Sequence, residues 1–179
     1  MPIFRPGPGP YALAVTMTGV RLGERLLEIG AGTPDMFGAL AAKVGLSGHA
    51  AGVTATKEAA AALEAGAARA GTLVDVHVAT PTSLPYDAEA FDLVVLDCTR
   101  MPLDEGSRWL HEAFRVLRGG GRLIVVERVG GFRLGGLLGG AGAAEAATRA
   151  LEATGLRPVR KIAQREGWRF TEGLKPRKG

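Results

Sequence analysis

The nine residues from position 26 to position 34 constrain the fold more than any other part of the chain. They read Leu-Leu-Glu-Ile-Gly-Ala-Gly-Thr-Pro, so an apolar run stops at two glycines and a pattern of helical period follows. Gly30 and Gly32 allow a positive φ and let a ligand approach the backbone, and Pro34 suits a first helical turn. This stretch therefore predicts a strand, a tight turn and a helix, with a ligand site where the helix amides point.

The rest of the chain alternates between strand-like and helix-like segments. Strands are predicted at 25–29, 49–54, 74–79 and 91–96, within 117–127 after a helix stop and a turn, and at 159–164 and 168–174. Helices are predicted at 11–18, 34–44, 57–70, 104–117 (with Asp104 as the N-cap) and 145–154. We therefore expect an α/β fold with a doubly wound, mainly parallel seven-stranded sheet in the order 3-2-1-4-5-7-6, ending in an antiparallel C-terminal hairpin.

Composition supports a single folded domain. The chain has 179 residues, of which 46% are hydrophobic and 22% charged, and this balance excludes a disordered protein. We expect one domain over residues 1–179, in which 1–20 form an N-terminal arm with a short helix and 21–179 form the core. The single cysteine, Cys98, excludes an internal disulfide and fits a reducing cytoplasm. No secretory signal and no membrane span are expected.

The positive charge lies near the C-terminus. Residues 157–179 hold eight Lys or Arg against Glu166 and Glu172, in a chain whose net charge is +4. Such a segment can bind nucleic acid or an acidic partner. No aromatic interleaving or base-reading motif accompanies it, so a solvated face is the favoured interpretation and no nucleic-acid partner is expected.

Polar residues follow the buried strand at 91–96. Asp97, Cys98, Thr99 and Arg100 come at its carboxyl end, which in a parallel sheet faces the ligand crevice. Two structural alternatives stay open, because Cys98 is more often a small buried hydrophobe than a nucleophile, and Asp97 with Arg100 can be a simple ion pair. No metal-ligand cluster is predicted.

Three motifs resemble the class I S-adenosylmethionine-dependent methyltransferases. They are Glu28-Ile-Gly-Ala-Gly-Thr-Pro34, Leu84-Pro-Tyr86 with Phe91-Asp-Leu-Val-Val95, and Leu117-Arg-Gly-Gly-Gly-Arg-Leu123. The resemblance extends from Arg21 to the C-terminal hairpin and implies a Rossmann-like core. It also implies S-adenosylmethionine as the cofactor, a small-molecule methyl acceptor, and cofactor contacts from Glu28, Gly30, Ala31, Gly32, Thr33, Thr54, Thr80 and Asp97.

Three positions depart from that family's pattern. Pro34 replaces the third glycine, Thr54 replaces the acid that accepts the ribose hydroxyls, and Thr80 replaces an acid near the adenine. An inactive methyltransferase-like binding or scaffold domain is therefore the alternative to an active enzyme. A nicotinamide dehydrogenase ranks third, because both a last glycine and the ribose acid are missing.

Catalytic groups are only weakly indicated. Asp97 and Tyr11 are the candidates for orienting or deprotonating an acceptor. The glycine-rich segment 130–142 is predicted to be a mobile loop or loose helix beside the acceptor site.

Overall fold

The computed structural model describes residues 9–30, 32–129 and 139–177. Within them the strands are β1 Arg25–Ile29, β2 His49–Thr54, β3 Asp75–Val78, β4 Phe91–Cys98, β5 Leu117–Arg128, β6 Val159–Arg165 and β7 Trp168–Leu174. The helices are α1 Ala12–Thr18, α2 Pro34–Val44, α3 Lys57–Arg69, α4 Leu103–Ser107, α5 Leu110–Val116 and α6 Gly139–Ala153. None of these helices is both long enough and apolar enough to cross a membrane.

The seven strands form one sheet in the order β3-β2-β1-β4-β5-β7-β6, which confirms the predicted fold. Strands β1 to β5 pair in parallel, while β7 runs antiparallel to both β5 and β6. The chain direction therefore brings the carboxyl ends of β1, β2 and β4 to one edge of the sheet, where the predicted ligand site lies.

Alternate side chains of the central strand β4 pack against helices on the two faces of the sheet. On β4, Leu93 and Val95 pack with α1 and α2, whereas Val94 and Leu96 pack with α5 and α6. The predicted inner face of the first long helix is confirmed, because its large apolar side chains are fully buried: Met36, Phe37, Leu40 and Val44. Burial on both faces explains why β4 reads as a continuous apolar run.

The helix predicted at 104–117 is wrong in two respects. It is divided into α4 and α5, and the residue preceding α4 is Pro102, so Asp104 lies in the first turn and is not the N-cap. Gly106 lies so close to β4 that an added Cβ would be 2.6 Å from the Cys98 Sγ. Leu117 then has extended backbone, and β5 starts there without the predicted intervening turn.

Part of the predicted N-terminal arm and most of the glycine-rich segment 130–142 lie outside the described residues. Of that segment, residues 139–142 belong to α6, which starts six residues earlier than the helix predicted at 145–154. The final hairpin is as predicted, except that β6 extends by one residue to Arg165.

Candidate functional site

Two cavities open at the carboxyl edge of the sheet. The Trp109 cavity has a volume of about 270 Å³ and is lined by Gly30, Gly32, Thr54, Ala55, Thr56, Ala59, Arg100, Met101, Glu105 and Trp109. The Trp168 cavity has a volume of about 370 Å³ and is lined by Tyr11, Gly32, Thr33, Pro34, Asp35, Thr99, Arg100, Arg128 and Trp168. Both linings include Gly32 and Arg100, so the two cavities meet at the glycine turn.

The two glycines of the turn are required for different reasons. Gly30 has a φ of +104°, which favours glycine, and an added Cβ would lie 2.8 Å from the carbonyl oxygen of Asp97. An added Cβ at Gly32 would lie 2.1 Å from the Thr99 Oγ1, and this close approach of the residues after β4 is what requires glycine there.

Asp97 is fully buried and forms hydrogen bonds that link the end of β4 to the start of α2. Its carboxylate accepts hydrogen bonds from the Thr33 amide at 2.9 Å, the Thr99 amide at 2.9 Å and the Thr99 hydroxyl at 2.5 Å. Burial raises the pKa of Asp97, while the bonds from Thr99 and Thr33 and the charge of Arg100 oppose that rise. Asp97 forms no ion pair with any described residue, so the Asp97–Arg100 pair considered from the sequence is not formed.

Glu28 lies on the neighbouring strand and on the same face of the sheet as Asp97. Its side chain has no exposed surface, and neither carboxylate oxygen has a hydrogen-bond partner among the described residues. Burial raises the pKa of Glu28 well above its usual range, and the negative charge of Asp97 raises it further. A buried carboxyl group without a partner is costly, so this one is a candidate for a binding role.

Pro34 is accommodated by a glycine on the adjacent helix. An added Cβ at Gly66 of α3 would lie 2.2 Å from the carbonyl oxygen of Pro34 and 3.0 Å from its Cβ. Pro34 is the first residue of α2, where the missing amide removes no intrahelical bond. The proline therefore fits the local packing, and it lines the Trp168 cavity.

The remaining predicted cofactor residues occupy varied environments. Thr54 lines the Trp109 cavity, but it is 1% exposed and its hydroxyl donates to the Thr56 carbonyl at 2.9 Å. Thr80 is exposed beyond β3 and is absent from the linings of both cavities. Ala31 lies outside the described residues.

The structure also places the two remaining candidates from the sequence. Tyr11 lines the Trp168 cavity. Cys98 is buried, and burial raises its pKa, so it behaves as a small core residue. Among the described residues, no group of three or more His, Cys, Asp or Glu side chains is placed to hold a metal ion.

Sequence reasoning missed several residues of the site. Trp109 was predicted only as an inward-facing helix residue, and Arg128 and Trp168 were not considered as site residues. Arg128 and Trp168 are opposite one another in the β5–β7 register, and the Arg128 guanidinium lies 4.5 Å from the Trp168 ring centroid. These two residues are 40 positions apart in the sequence, so no local pattern predicts that they pair. The sequence shows only that a basic residue follows one predicted strand and that an aromatic residue begins another.

Comparisons with known proteins agree with this architecture. The family model for the methyltransferase domain matches residues 27–125, which is more than half of the chain. In overall fold, the chain is similar to a solved SAM-dependent methyltransferase from Aquifex aeolicus, with a TM-score of 0.75 and 18% identity. That alignment covers 92% of this chain and 89% of the other.

Two curated bacterial relatives match the same part of the chain. The ubiquinone/menaquinone biosynthesis C-methyltransferase UbiE of Vibrio vulnificus is 30% identical over 118 residues, which cover 63% of this chain and 44% of the relative. The demethylmenaquinone methyltransferase of Clavibacter sepedonicus is 36% identical over 107 residues, covering 59% of this chain and 41% of the relative. The matched region thus spans less than half the length of these relatives. The chain belongs to the methyltransferase domain family and has the fold of the class I S-adenosylmethionine-dependent methyltransferases, whose cofactor is S-adenosylmethionine.

Proposed function

We propose that the chain binds S-adenosylmethionine at the meeting point of the two cavities and directs its methyl group to a small-molecule acceptor. The Trp109 cavity would hold the adenosyl part, and the Trp168 cavity would hold the acceptor. The names of the curated relatives refer to ubiquinone, menaquinone and demethylmenaquinone, and they support a small molecule as the acceptor.

The observation that carries this proposal is the unpaired carboxyl group of Glu28. It is buried one strand away from Asp97, beneath the turn that both cavities share. S-adenosylmethionine carries an ammonium and a sulfonium group, and a cation at this turn would compensate the two buried acids. The donor set therefore fits the cofactor, with Glu28 and Asp97 acting through the electrostatic potential at the turn.

The walls of the Trp109 cavity also fit the rest of the cofactor. Trp109 and Met101 provide an aromatic and a soft apolar surface for an adenine ring. Gly30 and Gly32 leave the backbone accessible, and we retain Gly30, Ala31, Gly32, Thr33, Thr54, Thr80 and Asp97 as proposed cofactor residues beside Glu28. Because the Thr54 hydroxyl already donates to Thr56, it contributes to the ribose site only as an acceptor.

The main contribution of the chain to the reaction is to position the acceptor and the cofactor. When bound, S-adenosylmethionine supplies an activated methyl group. The chain has to align the acceptor with that methyl group and exclude water, and such alignment supplies much of the rate acceleration. Tyr11 lines the acceptor side and is the side chain we propose for orienting the acceptor.

Calorimetric titration with S-adenosylhomocysteine tests this proposal. We expect binding to the unmodified protein, and a loss of roughly tenfold or more in affinity in Glu28→Gln, which removes the carboxyl group that would ionise to compensate the ammonium group. 5′-Methylthioadenosine lacks the amino-acid part and is the matched control ligand, whose affinity the substitution should leave unchanged.

The outcomes separate the two functional classes. If neither ligand binds the unmodified protein, the inactive binding or scaffold domain becomes the better interpretation. If Glu28→Gln weakens both ligands equally, the carboxyl group has only a structural role.

A further inference from the structure

The Trp168 cavity has an aromatic wall that is held in place by the core. The rings of Tyr11 and Trp168 meet edge to face, with centroids 6.5 Å apart and an angle of 82° between the planes. Trp168 also stacks on the fully buried Phe170, at 6.3 Å and 19°. Two amphipathic rings fixed at right angles favour a flat, aromatic ligand over a flexible one.

The same cavity carries uncompensated positive charge. Arg100 and Arg128 are both exposed, and the side chain of neither forms a hydrogen bond or an ion pair within the described part of the chain. The Arg128 guanidinium lies against the Trp168 ring and so presents its charge at the aromatic wall. Arg100 interacts electrostatically with the buried Asp97 and also lines the cavity.

One acidic residue of the cavity lining is already paired with another arginine. Asp35 lines the cavity, but its carboxylate is bound by Arg69 of α3, with the Nη2 2.5 Å and the Nε 2.7 Å away. Glu127, near the end of β5, forms an ion pair with Arg169, and this pair lies on the face of the sheet opposite to Arg128 and Trp168. The cavity wall therefore carries two guanidinium groups that form no ion pair with the described residues.

From the aromatic wall and the two unpaired arginines we infer that the Trp168 cavity selects a planar aromatic acid as its ligand. This inference rests on the proposed function, in which the cavity holds the methyl acceptor, and names the acceptor's chemical class. The ring packs against Trp168 and Tyr11, and the anionic group bonds to the guanidinium groups of Arg128 and Arg100. Arginine suits this role because its planar fork binds a carboxylate through two parallel hydrogen bonds.

Binding measurements on the S-adenosylhomocysteine-loaded protein test the inference without any turnover. The probes are benzoate, 4-hydroxybenzoate and 3,4-dihydroxybenzoate, with the matching amides as uncharged controls and cyclohexanecarboxylate as the non-aromatic control. We expect the aromatic acids to bind at least tenfold more tightly than their amides and than cyclohexanecarboxylate, which is the scale of one charge-assisted hydrogen bond.

Variants then identify the side chains responsible. Arg128→Gln and Arg100→Gln should each weaken the acids roughly tenfold and leave the amides unchanged. Arg165→Gln removes the same charge from the exposed end of β6, outside the cavity lining, and should have no effect. Arg128→Lys keeps the charge but not the fork, so it should restore only part of the affinity.

Each result decides the question. If the acids do not bind the loaded protein, if the amides bind equally well, or if Arg165→Gln weakens the acids as much as Arg128→Gln does, the inference is overturned. S-adenosylhomocysteine affinity, measured separately in every variant, distinguishes this failure from a failure of the proposed function. A protein that binds S-adenosylhomocysteine but no aromatic acid keeps its proposed function and loses only this assignment of the acceptor.

Discussion

Glu28 and Glu127 are two buried glutamates near the carboxyl edge of the same sheet, and their surroundings differ completely. Glu127 is 7% exposed and accepts two hydrogen bonds from Arg169, at 2.9 Å from the Nε and 2.8 Å from the Nη2. Glu28 is 0% exposed and has no partner for either oxygen among the described residues. A carboxylate that the fold pairs internally serves the fold, whereas one left unpaired near a ligand crevice is a candidate for compensating a bound cation.

The largest effect is expected when the paired glutamate loses its partner. Arg169→Met leaves the Glu127 charge buried and uncompensated, and we expect the free energy of unfolding to fall by about 3–5 kcal/mol. Urea denaturation of the two proteins measures the change. Arg69→Met is the control, since both side chains of its pair with Asp35 are more than half exposed and it should lose about 1 kcal/mol or less. Similar losses in the two variants would contradict the structural role of the Glu127–Arg169 pair.

Replacing the unpaired Glu28 should increase the free energy of unfolding, in contrast to the loss expected for the Glu127 pair. Glu28→Met removes a buried polar group that has no partner and replaces it with an apolar side chain of similar volume. We expect the unfolding free energy of the ligand-free protein to rise by about 1–3 kcal/mol and S-adenosylhomocysteine affinity to fall. Denaturation and calorimetry on the same preparation measure both quantities. A less stable variant would mean that Glu28 has a partner within the fold.

The pH dependence of stability sharpens the same contrast. Because the pKa of Glu28 is raised in the folded state, the folded protein holds a proton that the unfolded chain has released. The contribution of Glu28 to the free energy of unfolding is therefore fully present below the ordinary glutamate pKa. It is lost as the pH rises toward the raised value, by up to about 1.4 kcal/mol per pH unit. Urea midpoints from pH 4 to pH 8 measure this loss, which should shrink in Glu28→Met. Equal slopes in the two proteins would assign the loss to other groups.

The smallest effect is expected at an exposed ion pair. The side chains of Arg69 and Asp35 are 59% and 51% exposed, so solvent screens their attraction. We expect Arg69→Ala to change the unfolding free energy by about 0.5 kcal/mol or less, as thermal denaturation would show. A loss above about 1 kcal/mol would contradict the expectation that exposed ion pairs stabilise this fold less than the buried Glu127–Arg169 pair.

Much of the fold was predictable because its signals are local. The apolar run of β4, the glycines that follow β1 and the turn between β6 and β7 each report on neighbouring residues. The close packing of α4 on β4 was not predictable, because it depends on the contact of Gly106 with Cys98. That contact joins two separate elements, and no periodicity within either one records it.

The candidate site divides in the same way. The sequence by itself pointed to the glycine turn, Glu28 and Asp97 as candidates, because they lie in or beside a strand–turn–helix unit or at a strand end. Only the tertiary structure decided that Asp97 accepts hydrogen bonds from Thr33 and Thr99, and that Glu28 has no hydrogen-bond partner among the described residues. It alone also brought Arg128 and Trp168 together beside Tyr11. The physical reason is that residue type and spacing determine which element a residue joins, whereas burial, pairing and charge compensation depend on elements that meet only when the sheet assembles.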